Sequence, residues 1–105
     1  MKVSVKPSEI KEMRRHAARA ADMLRLLSHE ARLVVLCELI NGERPVGALV
    51  EISGLGQSAL SQHLAKLREG GLVATRQQAQ TVYYRLADPG VTRLIAALHD
   101  IYCRR

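Results

Sequence analysis

Apolar residues recur at helical spacing along most of the chain, in segments separated by Gly, Pro and small polar residues. The segment Gln57–Arg68 has a stripe of three leucines, Leu60, Leu64 and Leu67. Its opposite side carries hydrogen-bonding groups, namely Gln57, Ser58, Ser61, Gln62 and Lys66. Gln and Ser suit the donor and acceptor edges of bases in a DNA major groove, whereas Glu and Lys are commoner on a merely solvated face. The pattern therefore predicts a DNA-recognition helix.

The segments on either side of this helix complete a helix-turn-helix pattern. Pro45–Ile52 predicts a short helix, Ser53–Gly56 a tight turn, and the pair Gly70 and Gly71 ends the recognition helix. Taken alone, such a motif leaves open an ordinary helical hairpin with a polar surface.

Two longer helices are predicted ahead of the motif. In the first, Ser8 caps a helix that Glu9 opens and that continues to Leu27. Its alanines would allow another helix to approach closely, which suggests a subunit interface. The second begins with the cap Ser28 and continues through Ile40. It is predicted to be the central helix of the core, with one broad buried face formed by Leu33, Val34, Leu36, Cys37 and Ile40.

After the motif, the pattern changes to that of strands. Leu72–Arg76 and Thr81–Leu86 predict a β-hairpin wing with a polar turn at Gln77–Gln80. Side chains near its tip, Arg76, Gln77, Gln78 and Gln80, are expected to meet phosphate or the minor groove. Asp88 caps and Pro89 opens a last amphipathic helix. We therefore predict one domain over residues 1–105, mainly α with a small β-hairpin, in a winged helix-turn-helix fold.

Composition favours a nucleic-acid partner. The 105 residues carry 16 Lys and Arg against 10 Asp and Glu, a formal charge of +6, and most of the cations are Arg, which suits phosphate. The same charge could serve solubility alone. With three Tyr and no Trp or Phe, base stacking on aromatic platforms, as in single-strand binders, is disfavoured.

No membrane or secretory signal is evident. The longest apolar run, residues 33–37, is too short for a bilayer, and the N-terminal stretch lacks the apolar core of a signal peptide, so we expect a cytoplasmic protein. Structural disulfides are rare in that compartment. The two cysteines, Cys37 and Cys103, form no CxxC, so neither a zinc ribbon nor a thioredoxin-like motif is encoded.

The order of elements, with LLSHEARLVVLCEL and GQSALSQHLAKLREGGLV, resembles the ArsR/SmtB family of bacterial winged-helix repressors. This resemblance implies a homodimer whose first and last helices form the interface and whose paired recognition helices enter successive major grooves of an inverted-repeat operator in double-stranded DNA. It also implies that an inducer releases the DNA and starts transcription. The DNA-binding residues are then expected to be Gln57, Ser58, Ser61, Gln62, His63, Lys66, Arg76 and Gln78.

The metal sites of that family are not matched, so we expect no metal and no other cofactor. Where some members have Cys-Val-Cys, this chain has residues 43–47 without a thiol. At the last helix, Asp88 is present, but Ile101 and Arg104 stand where the distal ligands would lie. His99, His16 and His29 have no evident partner ligand. His63 is expected to pack beside the turn or to reach a phosphate.

The two cysteines resemble those of the branch of the family that senses sulfane sulfur, which includes the biofilm-growth-associated and sulfide:quinone-reductase repressors. That resemblance implies that a persulfide or polysulfide links Cys37 and Cys103 and so relieves repression of sulfide-detoxification genes. Several alternatives stay open. The cysteines could be small buried hydrophobic residues, or the repressor could respond to general oxidants, to a thiophilic metal or metalloid, or to haem. The protein could also be a small thiol-disulfide enzyme or a DNA binder without an inducer.

The order of reaction is also predicted. We expect Cys103 to react first, because Arg104 and Arg105 beside it favour thiolate, and Cys37 to be the resolving thiol. A gap slightly too wide for a disulfide, whose Cα atoms lie within about 7 Å, would accept a polysulfide bridge, since each inserted sulfur adds roughly 2 Å.

Overall fold

The computed structural model describes residues 3–103, which form five helices and a small three-stranded antiparallel sheet. The elements in chain order are α1 Pro7–Leu27, α2 Glu30–Leu39, β1 Arg44–Pro45, α3 Val46–Ser53, α4 Gln57–Glu69, β2 Val73–Gln78, β3 Thr81–Leu86 and α5 Pro89–Tyr102. The strand order is β1-β3-β2. The predicted mainly helical, winged helix-turn-helix arrangement is confirmed.

The predicted caps of the first two helices are wrong. α1 begins at Pro7 with Lys6 as its N-cap, and the Glu9 carboxylate accepts a 2.8 Å hydrogen bond from the Lys6 backbone N–H. Pro7 suits this position because the first helical N–H has no partner within a helix. Before α2, the Ser28 hydroxyl donates back to the carbonyl of Arg25 at 3.0 Å, so it terminates α1 instead of capping α2.

The core is a set of aliphatic side chains around α2. The buried apolar residues are Leu27, Val35, Leu36, Leu39, Leu49, Leu60, Leu64, Leu67, Leu72, Val73, Val91 and Ile95. The predicted buried face of α2 is partly wrong, because Val34 and Ile40 are exposed and Val35 is fully buried. Leu36 is buried, and Leu33 and Cys37 pack against the core, as predicted. Because α2 packs against α3, α4 and α5 together, its buried side also includes Val35.

The wing contains a strand that the sequence did not predict. Its hairpin pairs Val73 with Leu86 through Gln78 with Thr81, and Ala79 at the turn has a left-handed φ of 56°. β1 then adds to the outer edge of β3. Two residues that include a proline carry no strand periodicity, so this element could not be found from the sequence. It fastens the loop after α2 to the wing.

The last helix begins as predicted. The Asp88 carboxylate accepts hydrogen bonds from the backbone N–H groups of Gly90, at 2.8 Å, and Val91, at 3.4 Å. Within residues 3–103 no helix is both long and apolar enough to cross a bilayer.

Candidate nucleic-acid interface and thiol cleft

The two sides of α4 are divided as its sequence predicts. Leu60, Leu64 and Leu67 are buried against the core. The exposed side carries the polar residues predicted to meet DNA, which are Gln57, Ser58, Ser61, Gln62 and Lys66. These side chains are therefore available to base edges or phosphates.

A short turn sets the angle between α3 and α4. The Ser53 hydroxyl donates to the carbonyl of Val50 at 2.9 Å and accepts from the backbone N–H of Leu55 at 3.1 Å. Gly54 has a φ of 72°, a left-handed conformation that glycine adopts without strain. The turn thus holds α4 against the core with its polar side outward.

The side chain of His63 is half-buried on α4 and contacts residues at the start of α2. Its Nδ1 accepts a 2.9 Å hydrogen bond from Nε of Arg32, and its ring meets that of His29 edge to face at 5.4 Å between centroids. Burial lowers the pKa of His63, and repulsion from Arg32 and then His29 lowers it further. Of the two roles expected for His63, packing beside the turn or reaching a phosphate, this geometry supports a packing role, but against His29 and Arg32 at the start of α2.

Arg32 is the site residue that sequence reasoning missed. It is 9% exposed on α2, and its Nη1 also donates to the carbonyl of Leu26 at 3.1 Å. It therefore connects the end of α1, the central helix and the recognition helix. An arginine among apolar neighbours on a predicted core helix was the available signal, because a buried cation needs partners.

Arg76, on the wing, contacts three side chains of the same chain. Nη2 and Nε of Arg76 lie 2.7 and 2.9 Å from Glu43, Nη1 donates to Gln78 at 2.8 Å, and the guanidinium lies 4.5 Å from the ring centroid of Tyr83. The hydrogen bond and charge of Arg76 lower the pKa of Glu43. Arg76 and Gln78 remain exposed, and their predicted contacts with DNA stay predictions.

Both cysteines line one apolar cleft of about 220 Å³ between α2 and α5. Cys37 is half-buried, Cys103 is exposed, and both are free thiols. The rest of the lining consists of Leu33, Val34, Ile95, Leu98, His99 and Tyr102. The backbone N–H of Cys103 donates to the carbonyl of His99 at 2.8 Å, which fixes this cysteine at the helix end. Arg104 and Arg105, expected to favour its thiolate, lie outside the described residues.

In the part of the chain that the structure describes, no three His, Cys, Asp or Glu residues are grouped as metal ligands. The Asp88 carboxylate, which matches one ligand of a family metal site, is used as the cap of α5. The lining of the thiol cleft includes the two cysteines and one histidine, His99.

Apolar side chains on α1 and α5 lie exposed on the single chain. On α1 these are Ile10, Met13 and Leu24, and on α5 they are Leu94, Ile101 and Tyr102. Tyr102 and Ile101 are 79% and 67% exposed. Exposed apolar groups of this size on two helices are typical of a surface that another protein covers.

Comparison with known proteins gives consistent matches. Residues 29–75 match the model for the bacterial regulatory protein, arsR family. The chain is 46% identical to the transcriptional activator HlyU of Vibrio cholerae, over 93% of this chain and 91% of that one. It is 41% identical to the biofilm growth-associated repressor of Xylella fastidiosa, over 88% and 81%. A structure of reduced HlyU from Vibrio cholerae superposes with a TM-score of 0.84 at 47% identity, covering 89% and 98% of the two chains.

Proposed function

Because this chain belongs to the ArsR family of bacterial regulatory proteins, we propose that it is a homodimeric repressor that reactive sulfur species release from its operator. It is a DNA-binding transcriptional regulator and not a thiol-disulfide enzyme. Its relatives include both an activator and a repressor by name. The parts that we propose are the homodimer, repression, the inducer and the cytoplasmic location.

The shared cleft of Cys37 and Cys103 is the observation that carries the proposal. Two cysteines 66 positions apart border the same apolar cavity, one on α2 and one at the end of α5. An apolar cleft favours organic sulfur chains over peroxide, because burying the hydrogen-bonding groups of peroxide among apolar side chains is costly. One of the similar structures is of reduced HlyU from Vibrio cholerae, which is consistent with a redox-active group in that relative.

An organic trisulfide, RSSSR, can link the two cysteines in two exchange steps. The Cys103 thiolate attacks the central sulfur, forms a Cys103–S–S–R trisulfide and releases one RS⁻. The Cys37 thiolate then attacks the inserted sulfur and releases the second RS⁻. The products are one Cys37–S–Cys103 trisulfide bridge and two RSH, so the two thiols are oxidised and the inducer is reduced. The exposure of Cys103 favours it as the first nucleophile.

The bridge would act on DNA binding through α2. That helix carries Cys37, and five residues earlier it carries Arg32, whose hydrogen bond reaches His63 on α4. A covalent link from Cys37 to α5 restrains the same helix that supports the recognition helix. In a dimer, a small rotation changes the spacing of two recognition helices that must fit half-sites about 34 Å apart.

The dimer itself is supported by the exposed apolar side chains of α1 and α5. Cys103 follows directly after Ile101 and Tyr102, so the thiol cleft adjoins the proposed subunit interface. A change at the cleft would therefore reach the interface and the recognition helix together. A coupling of about 2–3 kcal/mol would weaken operator binding about 30- to 150-fold.

The test uses a duplex enriched from a randomised pool by the reduced protein. Fluorescence anisotropy compares reduced, peroxide-treated and trisulfide-treated protein, and mass spectrometry reads the bridge. We expect the trisulfide to weaken binding and to add one sulfur between the two cysteines, and Cys37→Ser and Cys103→Ser proteins to bind but not respond. Equal release by peroxide through a plain disulfide would contradict selectivity for sulfane sulfur. Faster alkylation of Cys37 than of Cys103 would contradict the order of reaction.

A further inference from the structure

The guanidinium of Arg76, on the wing, is held by three other side chains, those of Glu43, Gln78 and Tyr83. We propose that Glu43 is a positioning residue for DNA binding, which fixes Arg76 in one orientation so that its remaining N–H groups can meet the DNA backbone or minor-groove edge. The inference rests on the proposed binding of operator DNA and names a residue that the family resemblance did not assign.

The contacts restrict the guanidinium in two directions. Along one edge of the guanidinium, Nε and Nη2 of Arg76 lie 2.9 and 2.7 Å from the carboxylate oxygens of Glu43. Tyr83, the cross-strand partner of Arg76, lies beneath the plane at 4.5 Å. Gln78 accepts from Nη1 at 2.8 Å. An arginine has five N–H donors, and three of them are used in these contacts. One N–H on Nη1 and one on Nη2 therefore remain without a partner among residues 3–103.

Glu43 is itself held in place by the fold. It is half-buried and directly precedes β1, whose residues Arg44 and Pro45 pair with Tyr84 and Tyr83 on β3. Its carboxylate is thus fixed relative to the strand that carries the tyrosine below Arg76. A free arginine side chain loses rotamer entropy when it is immobilised. Here much of that loss occurs on folding, before DNA binds.

Charge alone predicts the opposite effect of removing Glu43. Its carboxylate lies next to the surface that would meet phosphates, so neutralising it should strengthen binding to any DNA. Positioning predicts that the same substitution weakens binding to the selected duplex, because Arg76 then samples many orientations. The sign of the change in affinity therefore separates the two effects.

The experiment compares Glu43→Gln with the unmodified chain by anisotropy on the enriched duplex. We expect Glu43→Gln to lose about three- to tenfold in affinity and to show a shallower salt dependence. In an Arg76→Gln background, Glu43→Gln should cause no loss, because the group that it positions is gone. Thermal melting of each variant checks that the fold is intact.

The matched control is Glu38→Gln. It removes the same charge from a neighbouring ion pair, in which Glu38 lies 2.9 Å from Nε of Arg44, and leaves Arg76 held. This variant should bind as tightly as the unmodified chain or more tightly. Tighter binding by folded Glu43→Gln, or an equal loss in both backgrounds, would overturn the inference. If the unmodified chain enriches no duplex, the proposed function itself fails, which is a different result.

Discussion

Nε of Arg32 donates a 2.9 Å hydrogen bond to Nδ1 of His63, and so joins the central helix to the recognition helix. The bond requires a neutral imidazole, because a protonated ring has no lone pair to accept it. The protonation of one histidine is thereby linked to the packing of the element proposed to read DNA.

This linkage predicts a loss of stability in mild acid. The folded-state pKa of His63 is lowered by burial and by Arg32, whereas in the unfolded chain it returns to about 6.5. Below about pH 6.5 the unfolded chain therefore binds a proton that the folded chain excludes. The free energy of unfolding should decrease as pH falls from 7.5 and level off below the folded-state pKa. Urea denaturation across this range measures it.

Two variants test the assignment to His63. His63→Gln should reduce the pH dependence between pH 7.5 and 5.5, whereas His16→Gln, on the exposed face of α1, should retain it. The pKa of Glu43 is lowered by Arg76, so the contribution of this pair is lost only in more acidic solution. An unchanged slope in His63→Gln would show that another group is responsible.

Gly70 is predicted to be a site of close helix packing. A Cβ at this position would lie 2.3 Å from Cδ1 of Leu26, at the end of α1. Gly70→Ala should therefore lower the free energy of unfolding by about 1–2 kcal/mol, since Leu26 must change rotamer. Gly47→Ala is the control, because a Cβ there meets no atom within 4 Å and alanine favours helix. Similar stability for both variants would contradict the prediction.

Two residues on the exposed side of α4 should affect DNA binding differently. Gln62→Ala should reduce discrimination between the selected and an unrelated duplex by about 1–3 kcal/mol, as expected for loss of a base contact. Lys66→Ala should weaken binding to both duplexes alike and reduce the salt slope by about one. Anisotropy titrations at several salt concentrations measure both. A uniform loss in Gln62→Ala would argue against base reading by this residue.

The exposed apolar side of α5 should be required for dimerisation. Ile101→Glu places a charge where a 67% exposed isoleucine is proposed to be covered by a second copy. Analytical ultracentrifugation should show a dimer for the unmodified chain and a monomer for this variant. Arg93→Glu, on the same helix at an exposed polar position, is the control and should stay dimeric. A monomeric unmodified chain would remove the basis for two-site operator binding.

The sequence alone determined the elements whose pattern is local. Leucines at helical spacing fixed which side of α4 is buried, and Asp88 followed by Pro89 fixed the start of α5, because amphipathic spacing and caps depend on neighbouring residues. The polar side of α4 and the two isolated cysteines could also be identified from the sequence alone.

Only the tertiary structure decided which residues that are distant in sequence lie close together. It brought Arg32 to His63, Glu43 to Arg76, and Cys37 and Cys103 to one cleft. It also added β1 to the wing and left Val34 on α2, and Ile40 just after it, exposed. The physical reason is that a side chain's exposure and partners depend on which other elements pack around its helix, and periodicity within one segment carries no information about them.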